Sequence, residues 1–123
     1  MKILAIECSA TPCSVALIEN SKIIASDFTA ERLTHSQTLM PMVVDVLKKS
    51  NNTFNDIDGF AVAAGPGSFT GVRIGISAIK GMAMSRKTPC ASVSTLYAMA
   101  ELHKDKDCYV CAVMDARCNQ VYN

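Results

Sequence analysis

Residues 2–29, KILAIECSATPCSVALIENSKIIASDFT, decide the fold, because they hold three strand-forming runs separated only by short breaks. The first run, residues 2–7, is continuous and apolar apart from its ends, the pattern of a strand buried on both faces. Residues 8–12 are a turn of small residues, after which SVALIE resumes as a second strand at residues 14–19. Asn20 and Ser21 form a hairpin break, and KIIASDFT at residues 22–29 reads as the third strand. Three successive strands with such connections predict a meander.

Downstream the periodicity changes. Residues 35–49 repeat apolar side chains at helical spacing, and residues 51–55 are a polar break. GFAVAA is a short buried strand, residues 65–71 are a glycine loop, and residues 70–86 read as a helix. Pro89 precedes the strand CASVS, the helix TLYAMAELH and the strand CYVCAVMD. The order βββαβαβα, meander first and alternation after, predicts an α/β protein with a five-stranded mixed sheet and helices on its faces. That order is similar to the ribonuclease H-like arrangement, used as a half-molecule in the actin and sugar-kinase class of ATPases. The last segment, CYVCAVMDARCNQVYN, begins a new strand and turn and stops at Asn123 with nothing left to pair against. We therefore expect a first domain at residues 1–106 and, at 107–123, the beginning of a second domain in a fragment of a two-domain protein.

Composition bounds the function. The 123 residues are 50% hydrophobic and 19% charged, enough apolar material for a core. Twelve Lys and Arg against eleven Asp and Glu give a formal net charge of +1, which argues against tight nucleic-acid binding by this chain alone. No apolar run approaches the ~18 residues of a membrane helix, and the four-residue run Ile3 to Ile6 is too short for a signal peptide. A cytoplasmic protein is expected.

Six cysteines, Cys8, Cys13, Cys90, Cys108, Cys111 and Cys118, raise the question of a metal or disulfide framework. The cytosol keeps thiols reduced, and a zinc site needs two ligand pairs where only Cys108 and Cys111 form one. On the strand expected there, residues three apart point to opposite faces and could not chelate one ion. Buried free thiols are the expected outcome, with no metal and no cofactor.

The strongest chemical signal is the segment Gly65, Pro66, Gly67, Ser68, Phe69, Thr70, Gly71, Val72, Arg73, Ile74 and Gly75, between a buried strand and a helix. Backbone N–H groups and the positive end of a helix dipole favour an anion in that position. Gly65, Gly67 and Gly71 permit close backbone approach, and Ser68 or Thr70 can cap the first turn. The spacing is neither a Walker loop nor a dinucleotide fingerprint. An anion site and a tight strand-to-helix joint both account for the glycines. The turn Glu7, Cys8, Ser9, Ala10, Thr11 lies where actin-like ATPases hold metal and phosphate. Its acid, Glu7, is longer than the usual Asp, and metal geometry is strict; ATP hydrolysis is not expected. His35 and His103 stand 68 positions apart, Ser68 lacks the Gly-x-Ser-x-Gly frame, and no catalytic constellation emerges. His35, near a helix start, is expected to cap or to make a surface contact.

The helices carry wide apolar arcs. On the second, Val72, Ile76, Ile79 and Ala83 form one stripe and Ile74, Ala78 and Met82 another, wider than the ~100° one sheet needs to bury. The first is similar, with Leu39, Met40, Val43, Val44, Val46 and Leu47 covering more than one face. Either the helices pack on each other as well as on the sheet, or their outer faces bind another protein.

Four segments, LAIECSATPCSVAL, HSQTLMPMV, GPGSFTGVRIG and MDARCNQVY, together resemble the TsaB family, also called YeaZ, in the family's order. The resemblance implies a non-catalytic partner of TsaD in making threonylcarbamoyladenosine on tRNA, with TsaE as an ATPase partner and tRNA reached only through the complex. It implies a partner surface on the two helices, for which Met40, Val43, Leu47, Ile74, Ala78 and Met82 are the candidates, and a homodimer when TsaD is absent. The metal-binding His-x-x-x-His of TsaD has no counterpart here. Departures from the family are Glu7 for the common Asp, and Cys118 and Asn119 where Arg or Gly with an acid is frequent; they bear on nucleotide binding rather than on the family. The alternative is an enzyme of the same fold, a small-molecule kinase or a glycoprotease-like peptidase.

Overall fold

A computed structural model describes residues 1–30 and 35–123. Strands β1 (Lys2–Glu7), β2 (Cys13–Glu19) and β3 (Lys22–Thr29) form the expected meander. Helix α1 (His35–Lys49) leads to β4 (Gly59–Ala63), α2 (Phe69–Met84), β5 (Cys90–Val93) and α3 (Thr95–Glu101). The five strands make one sheet in the order β3-β2-β1-β4-β5. β2 is antiparallel to both neighbours, while β1, β4 and β5 pair in parallel. Hence β3, β1, β4 and β5 all run one way.

That topology places the helices. The crossovers β3–α1–β4 and β4–α2–β5 both move toward the β5 edge, and right-handed connections moving the same way put both helices on the same face. α1 lies on β2 and β3, α2 on β4, β1 and β5, and the helices touch each other. The core between them holds Leu4 and Ile6 of β1, Val15 and Leu17 of β2, Phe60 and Val62 of β4, Val43, Val46 and Leu47 of α1, and Ile79 of α2. On β1 only Leu4 and Ile6 are fully buried, and Ile3 and Ala5 are half-buried. Burial of β1 on both faces, expected from its apolar run, is thus complete on the helix side only.

Two further expectations are corrected. Residues 108–113 have no regular structure; the strand lies later, in β6 (Met114–Arg117), which pairs antiparallel with β7 (Gln120–Tyr122) in a separate two-stranded sheet. The final segment therefore closes on itself: Arg117, Cys118 and Asn119 take positive φ and turn the chain back within a few residues. Of the six cysteines only Cys8 and Cys13 are buried; Cys90, Cys108, Cys111 and Cys118 are exposed. Among the described residues no helix is long and apolar enough to cross a membrane.

Candidate functional site

The turn after β1 and the loop before α2 are pressed together. Ser68 N–H donates to the Ser9 carbonyl at 2.6 Å. A Cβ at Gly67, whose φ is +156°, would stand 2.3 Å from the Ser9 carbonyl oxygen, and one at Gly71 would stand 2.0 Å from that of Cys8. Ser68 caps α2, its hydroxyl accepting from Gly71 N–H at 3.3 Å. The chain's own oxygens thus lie against the start of α2, where an anion would be held. Gly65, with φ +99° and a cis bond to Pro66, turns the chain, and its carbonyl accepts from Thr95 N–H. Glu7 does not project from its turn: its carboxylate accepts the Ser9 N–H. His35, expected to cap or to make a surface contact, instead bonds across to the first turn. It is half-buried, and its Nε2–H donates to the Ala10 carbonyl at 2.9 Å, tying the start of α1 to the same turn.

Above this joint opens a cleft of about 860 Å³, lined by Ser9, Ala10, Thr11, His35, Gly67, Ser68, Phe69 and Thr70 on one side and by Met114, Asp115, Ala116, Arg117 and Tyr122 on the other. Ser9 Oγ is buried and has no hydrogen-bond partner among the described residues. Glycine-loop residues Gly67, Ser68 and Thr70 thus reach the cleft, whereas Gly71 is buried beneath it. Arg73 does not face the cleft; it lies exposed on α2, its guanidinium 5.0 Å from the centre of the Phe69 ring. Among the described residues no group of three His, Cys, Asp or Glu side chains is arranged to hold a metal ion.

Beneath the turn, Cys8 and Cys13 are both buried with their sulfurs 3.2 Å apart. The Cys8 thiol is pushed well above the usual range, first by its hydrogen bond to Cys13, then by burial and by the Cys13 and Glu7 charges. That hydrogen bond pulls Cys13 down, against burial and Glu7.

A second hollow, an apolar groove of about 490 Å³, runs between α1 and α2. Ser36, Leu39 and Met40 line one wall, and Phe69, Thr70, Arg73, Ile74, Ser77 and Ala78 the other. Three candidate partner residues meet there: Met40, 39% exposed, with Ile74 and Ala78. Ile74, Ala78 and Met82 are all half-buried against the core, and Met82 lies outside the groove. Val43 and Leu47 are corrected: at 0% and 4% exposure they point into the sheet, because α1 rests on β2 and β3. Phe69 went unnoticed as a contact residue, although it is 74% exposed and lines both hollows. The only sequence signal for it is an aromatic side chain in the first helical turn after a capping serine.

Comparison with known proteins agrees with this geometry. The family model described as TsaD, tRNA N6-adenosine threonylcarbamoyltransferase, matches residues 25–123. A tRNA threonylcarbamoyladenosine biosynthesis protein TsaB from Escherichia coli is 42% identical over 99% of this chain and 53% of its own length. Its counterpart from Haemophilus influenzae is 38% identical over 99% of this chain and 52% of its own. The solved structure of YeaZ from Pseudomonas aeruginosa superposes with a TM-score of 0.86 at 34% identity, covering 98% of this chain and 57% of that one. The chain spans about half the length of the curated relatives it matches. With a ribonuclease H-like, actin-like sheet and this set of relatives, the chain belongs to the TsaB, or YeaZ, family.

Proposed function

We propose that this chain serves tRNA threonylcarbamoyladenosine formation as a non-catalytic subunit that pairs with a TsaD-type transferase through the groove between α1 and α2. The observation that carries this reading is the groove itself, where exposed Met40 meets Ile74 and Ala78 beside exposed Phe69. The first turn supports it from the other side. Glu7 is occupied by the Ser9 N–H, and the Ser9 carbonyl by the Ser68 N–H at the start of α2, so the elements that would hold metal and phosphate bind each other. In the same reading TsaE joins the assembly, tRNA is reached only through it, the location is cytoplasmic, and the chain alone forms a homodimer across the same helices. In this reading residues 1–106 are the first domain and residues 107–123 begin a second.

Ala78→Arg tests the groove. The new guanidinium would lie in an apolar contact without a partner charge, so affinity for TsaD should fall on the order of 100-fold while the circular dichroism spectrum stays that of the folded chain. Wild-type affinity from a folded Ala78→Arg chain would remove the groove from the interface.

A further inference from the structure

We propose that Cys8 and Cys13 are a site of reversible oxidative modification, forming a disulfide across the first turn when a hydroperoxide reaches the cleft above them. This inference is independent of the partner reading. The ladder between β1 and β2 ends with Glu7 opposite Ser14, and Cys8 and Cys13 are the residues immediately beyond that pair, on either side of the turn. Opposed residues at the end of such a ladder have Cα atoms about 4.5–5.5 Å apart, which starts the two cysteines close to the ~4.4–6.8 Å range of disulfides. The sulfurs already meet at 3.2 Å as a hydrogen-bonded pair, closer than two small apolar groups need to pack.

The surroundings suit the chemistry. Both thiols are buried, and Ser9, Ala10 and Thr11, which lie between them in the chain, line the open cleft, so a small peroxide reaches them when this turn opens. Either sulfur can donate in the contact between the two; donation from the Cys8 S–H favours the thiolate form of Cys13, so Cys13 is taken as the nucleophile. Its sulfur attacks the peroxide oxygen; an S–O bond forms, the O–O bond breaks, and the leaving oxygen departs as alcohol or water after taking a proton. Cys8 sulfur then attacks the Cys13 sulfenic acid. The S–S bond forms, the S–O bond breaks, and hydroxide leaves as water with the Cys8 proton. Two thiols are oxidised and one hydroperoxide is reduced.

Trypsin makes the test direct, because Cys8 and Cys13 are the only cysteines in the peptide spanning residues 3–22. The native chain is exposed to hydrogen peroxide, quenched, denatured, alkylated with iodoacetamide and digested, with a urea-unfolded sample treated in parallel. In the native sample, the peptide should lose both alkyl groups and weigh two hydrogens less than its reduced form, and dithiothreitol should restore alkylation. The unfolded sample should form this bond at least 10-fold less efficiently. A native peptide that stays doubly alkylated while Cys90 or Cys118 oxidises would overturn the proposal. So would equal yield from native and unfolded chains, since the fold would then contribute nothing.

Discussion

Gly71→Ala is expected to destabilise the chain by about 3 kcal/mol, enough to consume much of a small domain's margin of ~5–15 kcal/mol. The added methyl would stand 2.0 Å from the Cys8 carbonyl oxygen and 3.1 Å from His35 Cδ2. The first of these is backbone, so relief requires separating α2 from the turn after β1. That separation would strain the Ser68 N–H bond to Ser9 and the His35 bond to Ala10, both anchored on the same turn. Gly81→Ala is the control. It lies in the same helix with nothing within 4 Å of its added carbon, and should stabilise by roughly 0.5–1 kcal/mol through helix propensity. Urea unfolding of both variants checks the contrast: the midpoint should fall sharply for one and rise slightly for the other. Equal midpoints would mean that α2 does not sit on the first turn as described.

The second large effect concerns α1. Leu47→Ala should cost about 3 kcal/mol, because a side chain only 4% exposed leaves a cavity between α1 and the sheet. Met40→Ala, on the open side of the same helix, should change stability by less than ~1 kcal/mol and instead weaken pairing with TsaD. Denaturation midpoints and binding isotherms for the two variants separate the faces. A Leu47→Ala chain of wild-type stability that pairs poorly would mean that α1 is rotated relative to this description.

Those two experiments mark the boundary between local and tertiary information in this protein. Helix α1 runs over His35–Lys49 and strand β3 over Lys22–Thr29, the ranges that periodicity alone predicts, because amphipathic spacing and turn residues act within a few positions. The element order, and with it the mixed sheet, follows from the same signals plus the short-connection rule. The four family segments were likewise legible, since each is a contiguous string. The segment CYVCAVMD shows where local propensity ends. Its apolar, β-prone residues read as a strand, yet residues 108–113 stay irregular and pairing starts only at Met114, because a strand requires a hydrogen-bonded neighbour that propensity cannot supply.

Everything about the sites that depends on orientation came from the tertiary structure. A helical wheel gives the angle between Met40 and Leu47 but not which of them faces the sheet; the same-handed crossovers decided that by setting α1 on β2 and β3. Glu7 could be read as a ligand from its position, and only the folded turn shows its carboxylate committed to the Ser9 N–H. The glycines of the loop admitted an anion or a close joint, and the Ser9 and Cys8 carbonyls, distant in sequence, lie against them. Cys8 and Cys13 read as separate buried thiols, and only the folded turn between β1 and β2 brings their sulfurs to 3.2 Å. Sequence spacing determined which elements form; the handedness and register of their packing decided which side chains meet, because those contacts join residues that local interactions cannot bring together.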